Sequence, residues 1–371
     1  MKRLLLFSIL LIAFSGCATH NSQDDPLFGM YDPSGAFVFF NSKGEKAFQI
    51  KGVSYAKKIS EGFAAVLKNE KWGFVNSRGK LAIPCMYDEV DSFSEGFAAV
   101  SQSGKWGYID MNGKIIIPCQ YDGANAFSEG LAWVRQDGKL GIIDTAGETI
   151  APCQFTFGTI YPFTDGLAGY LEQGMTGFVN KHGKVVIPPK DDISPYFHDG
   201  LARIERDGKY GFVTKDGVIT IPCQYDRAFD FSEGLAAVMQ NNRWGYINPA
   251  GEMVIPYLYS NASIEFSNGF AWVQHPNKRG WEIINSNGEI IGHGDGFETV
   301  APFTKEGLAR VEQKGKWGFA NSKGELVIPC EYDHAEDFTD GLAFVEQDGL
   351  YGLINPEGEL VVPCQFASPL H

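Results

Sequence analysis

Eight acidic residues stand directly before a glycine, each at the same place in a recurring unit: Glu61, Glu95, Glu129, Asp165, Asp199, Glu233, Glu306 and Asp340. One carboxylate per unit could hold one cation per unit. Calcium, however, takes about six or more oxygens, and no Asp-x-Asp-x-Asp run surrounds these positions. Glycoside hydrolysis needs two carboxyl groups within about 10 Å of each other, and acids spread one to a unit make no such pair. Capping of local backbone N–H groups is the role expected of them. The seven histidines (His20, His182, His198, His275, His293, His334 and His371) include no pair at ligand spacing. Cys-x-x-Cys, His-Glu-x-x-His, a phosphate-binding glycine loop and a Gly-x-Ser-x-Gly elbow are all missing. No catalytic residue, metal site or cofactor is expected. His293-Gly294-Asp295-Gly296, at a longer junction between units, reads as an inserted turn.

Cysteine offers no redox chemistry either. Cys85, Cys119, Cys153, Cys223, Cys330 and Cys364 each follow a proline, at one place in the unit. With about three strands per unit at roughly 4.8 Å spacing, equivalent positions in neighbouring units lie on the order of 14 Å apart. A disulfide needs Cα atoms within about 7 Å. Pro189 and Tyr257 fill the same slot elsewhere, so these six are expected to be free thiols packed as small hydrophobes.

The unit itself is marked by the residue before a central glycine, at positions 37, 72, 106, 140, 176, 210, 244, 281, 317 and 351, a spacing of 34–37 residues. A fixed period in this range means a solenoid, a propeller or an array. In one clear copy, Glu95-Gly96 opens Phe97–Gln102, Ser103-Gly104 turns into Lys105–Asp110, and Asn112-Gly113 turns into an isoleucine-rich run through Ile117-Pro118. Asn-Gly suits a hairpin in which both turn residues take positive φ. Proline, unable to donate to a ladder, is expected to end the third run. The pattern predicts three short antiparallel strands per unit and no sustained helix, with at most one helical turn between Asp122 and Phe127. The glycine after the aromatic, mid-strand, marks a close approach, expected from a neighbouring ring. Phe93, Phe127 and their equivalents should bury between units, because one unit of this size cannot bury enough apolar surface to stand alone. The fold expected is all-β: ten three-stranded meanders stacked as an open, curved superhelix, with a β-propeller-like closed ring as the alternative. No strand is evidently exchanged to close a circle.

The motif Lys105-Trp106-Gly107-Tyr108-Ile109-Asp110, with Phe93-Ser94-Glu95-Gly96 upstream and Ile117-Pro118-Cys119-Gln120-Tyr121-Asp122 downstream, resembles the WG-repeat family. Trp-Gly itself stands at Trp72, Trp106, Trp244 and Trp317. Tyr210 and Tyr351 are near variants; Phe37-Val38, Leu140-Gly141, Thr176-Gly177 and Trp281-Glu282 depart further. The resemblance runs over residues 26–366 and implies a bacterial β-rich repeat protein, often of the cell envelope, that binds other molecules.

Residues 1–16 resemble a lipoprotein signal: Lys2 and Arg3, an eleven-residue apolar run from Leu4 to Phe14, then Ser15-Gly16-Cys17. The run is too short to span a bilayer. The resemblance implies cleavage before Cys17, a diacylglycerol on its sulfur, acyl chains such as palmitate, and a membrane held through lipid. Ala18 in place of aspartate favours the outer membrane. Residues 17–25 read as a polar tether and 26–371 as the repeat domain. Losing Lys2 and Arg3 moves the formal charge from −14 to −16, a surface that repels nucleic acid.

One slot varies while its flanks do not. After the Leu/Phe-Ala pair stand Ala65, Ala99, Trp133, Gly169, Arg203, Ala237, Trp272, Arg310 and Phe344. Aromatics and arginine anchor interfaces, so Trp133, Arg203, Trp272, Arg310 and Phe344 are candidate binding residues, unless the slot faces a neighbouring unit. The function expected is a non-enzymatic, lipid-anchored envelope protein presenting a surface to a protein or glycan partner. A structural spacer and a glycan-active enzyme are the other readings.

Overall fold

The computed structural model describes residues 26–156, 158–263 and 265–370. The signal segment, Cys17 and the tether lie outside them. The described residues form 39 strands and no helix, arranged as ten four-stranded antiparallel sheets, two of which share the strand Val185–Ile193. These are the blades of a closed propeller, so the chain takes the ring rather than the open stack.

Blade 3 shows the plan. Its strands Phe97–Gln102, Lys105–Asp110 and Ile115–Tyr121 are the three runs read from the sequence. A fourth strand of two residues, Glu89–Val90, pairs with Phe97–Gln102 on its free edge. In blade 4 the same short strand is Gly123–Ala124, within the segment that allowed a helical turn. Closure uses this position. Blade 1 supplies only Phe28–Tyr31, Phe37–Phe40 and Lys46–Ile50, and its short strand is Ser368–Pro369 from the other end of the chain, paired Met30↔Pro369 and Tyr31↔Ser368. Ala367 N–H donates to the Tyr31 carbonyl at 2.8 Å and Leu370 N–H to that of Gly29 at 2.9 Å. A strand is exchanged after all. Two residues of pairing were too few to register as an apolar run.

Cores lie between blades. One cluster joins Ala65, Phe74, Ile83 and Tyr87 of blade 2 to Val90, Phe93, Ala98, Val100 and Ile109 of blade 3. Phe93 meets Phe63 and Phe74 across this seam at 4.8 and 4.9 Å between ring centroids. The closing seam is built alike: Leu342, Leu353, Val362 and Phe366 of blade 10 pack on Phe28, Met30, Val38 and Phe40 of blade 1. The burial of Phe93 and its equivalents between units, expected from the sequence, is what the ring uses throughout.

Turn chemistry sets the register. Glu95 and Gly96 take φ of 54° and 82°, and Ser103 and Gly104 take 52° and 74°, so both are two-residue turns of the hairpin type that needs positive φ twice. At Asn112-Gly113 only Gly113 is left-handed, at 78°. Gly113 N–H reaches the Asp110 carbonyl and Asp110 N–H that of Lys114, a longer turn ending in a glycine bulge.

The outermost strand does not stop at proline. It runs from Ile115 through Pro118 to Tyr121, and its pairs jump from Tyr108↔Ile117 to Trp106↔Tyr121. One residue on the central strand therefore faces three on the outer one, and the proline sits in the bulge, where no ladder N–H is needed. That bulge explains the central glycine. A Cβ on Gly107 would lie 2.4 Å from the Ile117 carbonyl oxygen and 2.7 Å from the Cys119 nitrogen. Backbone, rather than a neighbouring ring, is what approaches. Gly177 is the exception, faced by the Tyr170 ring at 2.4 Å. All six described cysteines are free; Cys119 Sγ points at the Val100 carbonyl at 3.7 Å.

Gly107→Ala should lower unfolding stability by at least about 2 kcal/mol, because the obstructing atoms are backbone. Gly104→Ala meets no atom within 4 Å and loses only a permissive turn residue, about 1 kcal/mol. Chemical denaturation of the two variants measures the difference, and equal losses would contradict the close-approach account.

Candidate binding face

The repeat's most constant residues hold one blade to the next. Glu95 accepts hydrogen bonds from the N–H groups of Glu129 at 2.7 Å and Gly130 at 2.8 Å, one turn further round the ring. Glu61 does the same for Glu95 and Gly96, and Glu233 for Asn268 and Gly269. The recurring acids are caps, but the turn they cap belongs to the following blade. The serine before them completes the link: Ser94 Oγ donates to the Phe127 carbonyl at 2.8 Å, Ser60 to Phe93 and Ser232 to Phe266.

A second carboxylate laces the opposite ends of the same strands. Asp122 Oδ1 accepts from Lys105 Nζ of blade 3 at 2.5 Å, and Oδ2 from the Asp137 N–H of blade 4 at 2.8 Å. Asp88 bridges Lys71 and the Ser103 N–H, Asp226 bridges Lys209 and the Asn241 N–H, and Asp333 bridges Lys316 and the Asp348 N–H. The lysine contact first, then the backbone N–H, holds each of these four carboxyls below the ordinary range.

The variable slot faces the seams. Trp133 and Trp272 are 2% and 0% exposed, and their indole N–H groups donate to the Tyr161 carbonyl at 3.3 Å and the Ala301 carbonyl at 3.1 Å in the next blade. Arg203 and Arg310 donate to the Ala228 and Ala335 carbonyls at 3.0 and 2.5 Å and lie over the rings of Tyr210 and Trp317. Phe344 meets Phe28 at 6.0 Å across the closing seam. These five are packing and seam residues, and they do not form a solvent-facing stripe. Their variety has a steric cause, since the residue opposite compensates. Alanine or glycine faces an aromatic at Ala65↔Phe74, Ala99↔Tyr108, Gly169↔Phe178 and Ala237↔Tyr246, whereas Trp133 and Trp272 face Ile142 and Ile283, and Phe344 faces Leu353. A small residue in the slot thus faces an aromatic and a large one an aliphatic, so bulk is partly exchanged across the pair. The arginines keep a phenylalanine opposite because their side chains run on to the neighbouring carbonyl.

Variation without that compensation occurs on the short strand, which the sequence reading missed. Its opening position, or the residue equivalent to it by register in blades 5 and 6, holds Tyr55, Glu89, Gly123, Thr159, Asp192, Arg227, Asn261, Thr299, His334 and Ser368 round the ring, with only threonine used twice. Beside it, on the next strand, come residues as different as Leu67, Ser101, Arg135, Glu205, Met239 and Gln274. The half-buried tryptophan of Trp-Gly follows in the same row: Glu89↔Ser101, Ser101↔Trp106, Trp106↔Tyr121. A cavity of about 630 Å³ is walled by the short strands of blades 3 and 4 and by Gly158 and Ile160 of blade 5, together with the hairpin glycines Gly104 and Gly138. Three consecutive blades converge there. The clue in the sequence was the residue after each Tyr-Asp pair, which changes from unit to unit.

Blade 8 departs most from the plan. Its outer strand Ile290–Gly294 lacks proline and pairs Glu282↔His293 and Trp281↔Gly294 without the bulge, so position 282 has room for a side chain. Glu282 is 4% exposed. Its Oε1 accepts from Lys278 Nζ at 2.5 Å, and Oε2, which makes no hydrogen bond, lies 3.9 Å from His275 Nε2. His275 packs on Tyr259 of blade 7 at 5.1 Å. Ser260 stands here in place of the bridging aspartate, so this buried group substitutes for the clamp at that seam. Among the described residues no group of three or more His, Cys, Asp or Glu is placed to hold a metal ion.

A sequence model of the WG containing repeat matches this chain in ten segments, from 39–72 to 351–368. No curated protein matches the sequence. Among solved structures, a eukaryotic initiation factor is similar at 9% identity, with 94% of this chain and 98% of that chain covered and a TM-score of 0.51; the likeness is one of fold. The extracellular domain of a hybrid two-component system from B. thetaiotaomicron aligns at 10% identity over 89% of this chain and 69% of that one, with a TM-score of 0.29.

The lowered carboxyls give a pH dependence of definite sign. A group whose folded pKa lies below its unfolded one stabilises fully above the unfolded value, about 3.9 for aspartate, and loses that contribution as pH falls through the lower folded value. On account of these carboxyls, melting temperature should be flat between about pH 5 and pH 8 and fall in stronger acid. Replacing Asp88, Asp122, Asp226 and Asp333 by asparagine should lower it at pH 7 and flatten the acid limb. An acid limb as steep in the fourfold variant as in the parent would contradict the clamp.

Proposed function

The chain belongs to the WG containing repeat family, and from that premise we propose that it is a non-enzymatic binding or scaffold protein of the bacterial envelope, held to a membrane through lipid on Cys17. Its repeat β-fold suits a binding or scaffold role. One observation carries the reading further: the acids and glycines that clamp one blade to the next recur in most units, while the residues opening the short strands hardly recur at all. A spacer needs no such variety. A rigid ring lets side chains from several blades meet one ligand without paying for loop ordering at each contact, and the partner is a protein or a glycan that bridges blades on this face. The address rests on the sequence alone: the basic start, the eleven-residue apolar run and the small residues before Cys17. Ala18 favours the outer membrane.

Two measurements test these parts separately. Cells fed labelled palmitate should transfer label to the parent and none to Cys17→Ser, which should also leave the membrane pellet; label retained by Cys17→Ser would refute the anchor. For the binding face, lipid-free protein should capture a defined partner from detergent-solubilised envelopes. Changing Glu89, Arg227 and His334 together to alanine should cut that capture at least about tenfold with the melting temperature unchanged. Undiminished capture by the triple variant would move the site off this face, and no capture by either protein would favour the spacer.

A further inference from the structure

We propose that the cavity where blades 3, 4 and 5 converge binds a carboxylate-bearing sugar of a glycan, with Arg135 as the anchor for its carboxylate. This rests on the reading of the ring as a binding scaffold and names the ligand class that one part of it takes. At about 630 Å³ the cavity falls within the usual range for small-molecule sites, about 300–1,000 Å³. It arises where the repeat is broken. Gly123 is the one opening residue of a short strand with no side chain, and Thr156 stands where other units carry the bridging aspartate.

The missing side chain at Gly123 is filled by a guanidinium. A Cβ placed there would be 3.1 Å from Arg135 Nη2 and 3.3 Å from Nε, so the fork of Arg135 lies along the Gly123 backbone and forms part of the cavity wall. Arg135 is exposed, and among the described residues no hydrogen bond or ion pair engages its guanidinium. The carboxylate whose charge it feels, Asp122, has both oxygens occupied by Lys105 and the Asp137 N–H. A planar guanidinium with free N–H groups fits a carboxylate bidentately. Arg135 is also the only basic residue among the ten that occupy its row in the blades.

The rest of the wall fits a sugar better than an acidic peptide. Trp106 offers a half-buried ring, the surface on which the apolar face of a pyranose packs. Glu89, Ser101 and Asn125 line the same cavity. Glu89 accepts hydrogen bonds and repels a second carboxylate, so it calls for a ligand with hydroxyl donors beside a single acid group. A run of acidic side chains would satisfy Arg135 and be pushed away by Glu89.

Lipid-free protein titrated with a galactose trisaccharide in which one residue is galacturonic acid, the neutral galactose trisaccharide and triglutamate, read by calorimetry and tryptophan fluorescence, tests this. Saturable binding of the acidic sugar is expected, with the neutral sugar and triglutamate each at least about tenfold weaker. Arg135→Gln should weaken the acidic sugar about tenfold and abolish the preference over the neutral one. Gly123→Val, which displaces the guanidinium, should act in the same direction, both variants melting with the parent. The proposal is overturned by no saturable binding of the acidic sugar, by triglutamate binding as well, or by an Arg135→Gln protein that binds unchanged. Envelope capture that persists while the acidic sugar fails to bind would overturn this site and leave the scaffold reading standing. Loss of capture by the parent itself would overturn that reading instead.

Discussion

Large apolar side chains in this ring are buried mainly against a neighbouring blade. Phe93 lies between Phe63 and Phe74 of one blade and Val90 and Val100 of its own, and each seam repeats the arrangement. A single 34-residue unit leaves its sheet faces open to water and cannot offset the entropy of its own ordering. Stability is therefore a property of neighbours, as in other repeat arrays, with one difference. A ring has no terminal unit to cap, provided that the last seam closes.

That constraint accounts for most of what recurs. Glu95 and Ser94 reach forward to blade 4 from one end of their blade, and Asp88 ties the other end to the hairpin of blade 2. Gly107 is fixed by the bulge that Pro118 allows, and where blade 8 drops the bulge it also drops the glycine, installing Glu282 in the freed space. The closing seam works by other means. Among the described residues no Glu–turn clamp joins blade 10 to blade 1, and Ser368–Pro369 supplies the connection as a strand.

The sequence displayed the period, three of the four strands, the free cysteines and the burial of Phe93 between units, because each is written in contiguous residues. What it hid depends on residues a full unit apart. The partner of Glu95 is the turn at Glu129-Gly130, and nothing local marks that pairing. Trp133 and Arg203 looked like anchors because their slot varies, but the compensation lies on the facing strand, at Ile142 and Phe212. The short strands escaped notice because two residues carry no periodicity. With them went the closing strand and the varied residues of the binding face, Glu89 and Arg227 among them.

Removal of residues 367–371 tests the closed-ring account most directly, since it deletes only the exchanged strand and its flanks. With hydrogen exchange read blade by blade, the account predicts that amides of Phe28–Tyr31 and Phe37–Phe40 lose protection, and that unfolding shifts to lower temperature for the whole ring. Unchanged protection in blade 1 together with an unshifted melt would contradict it.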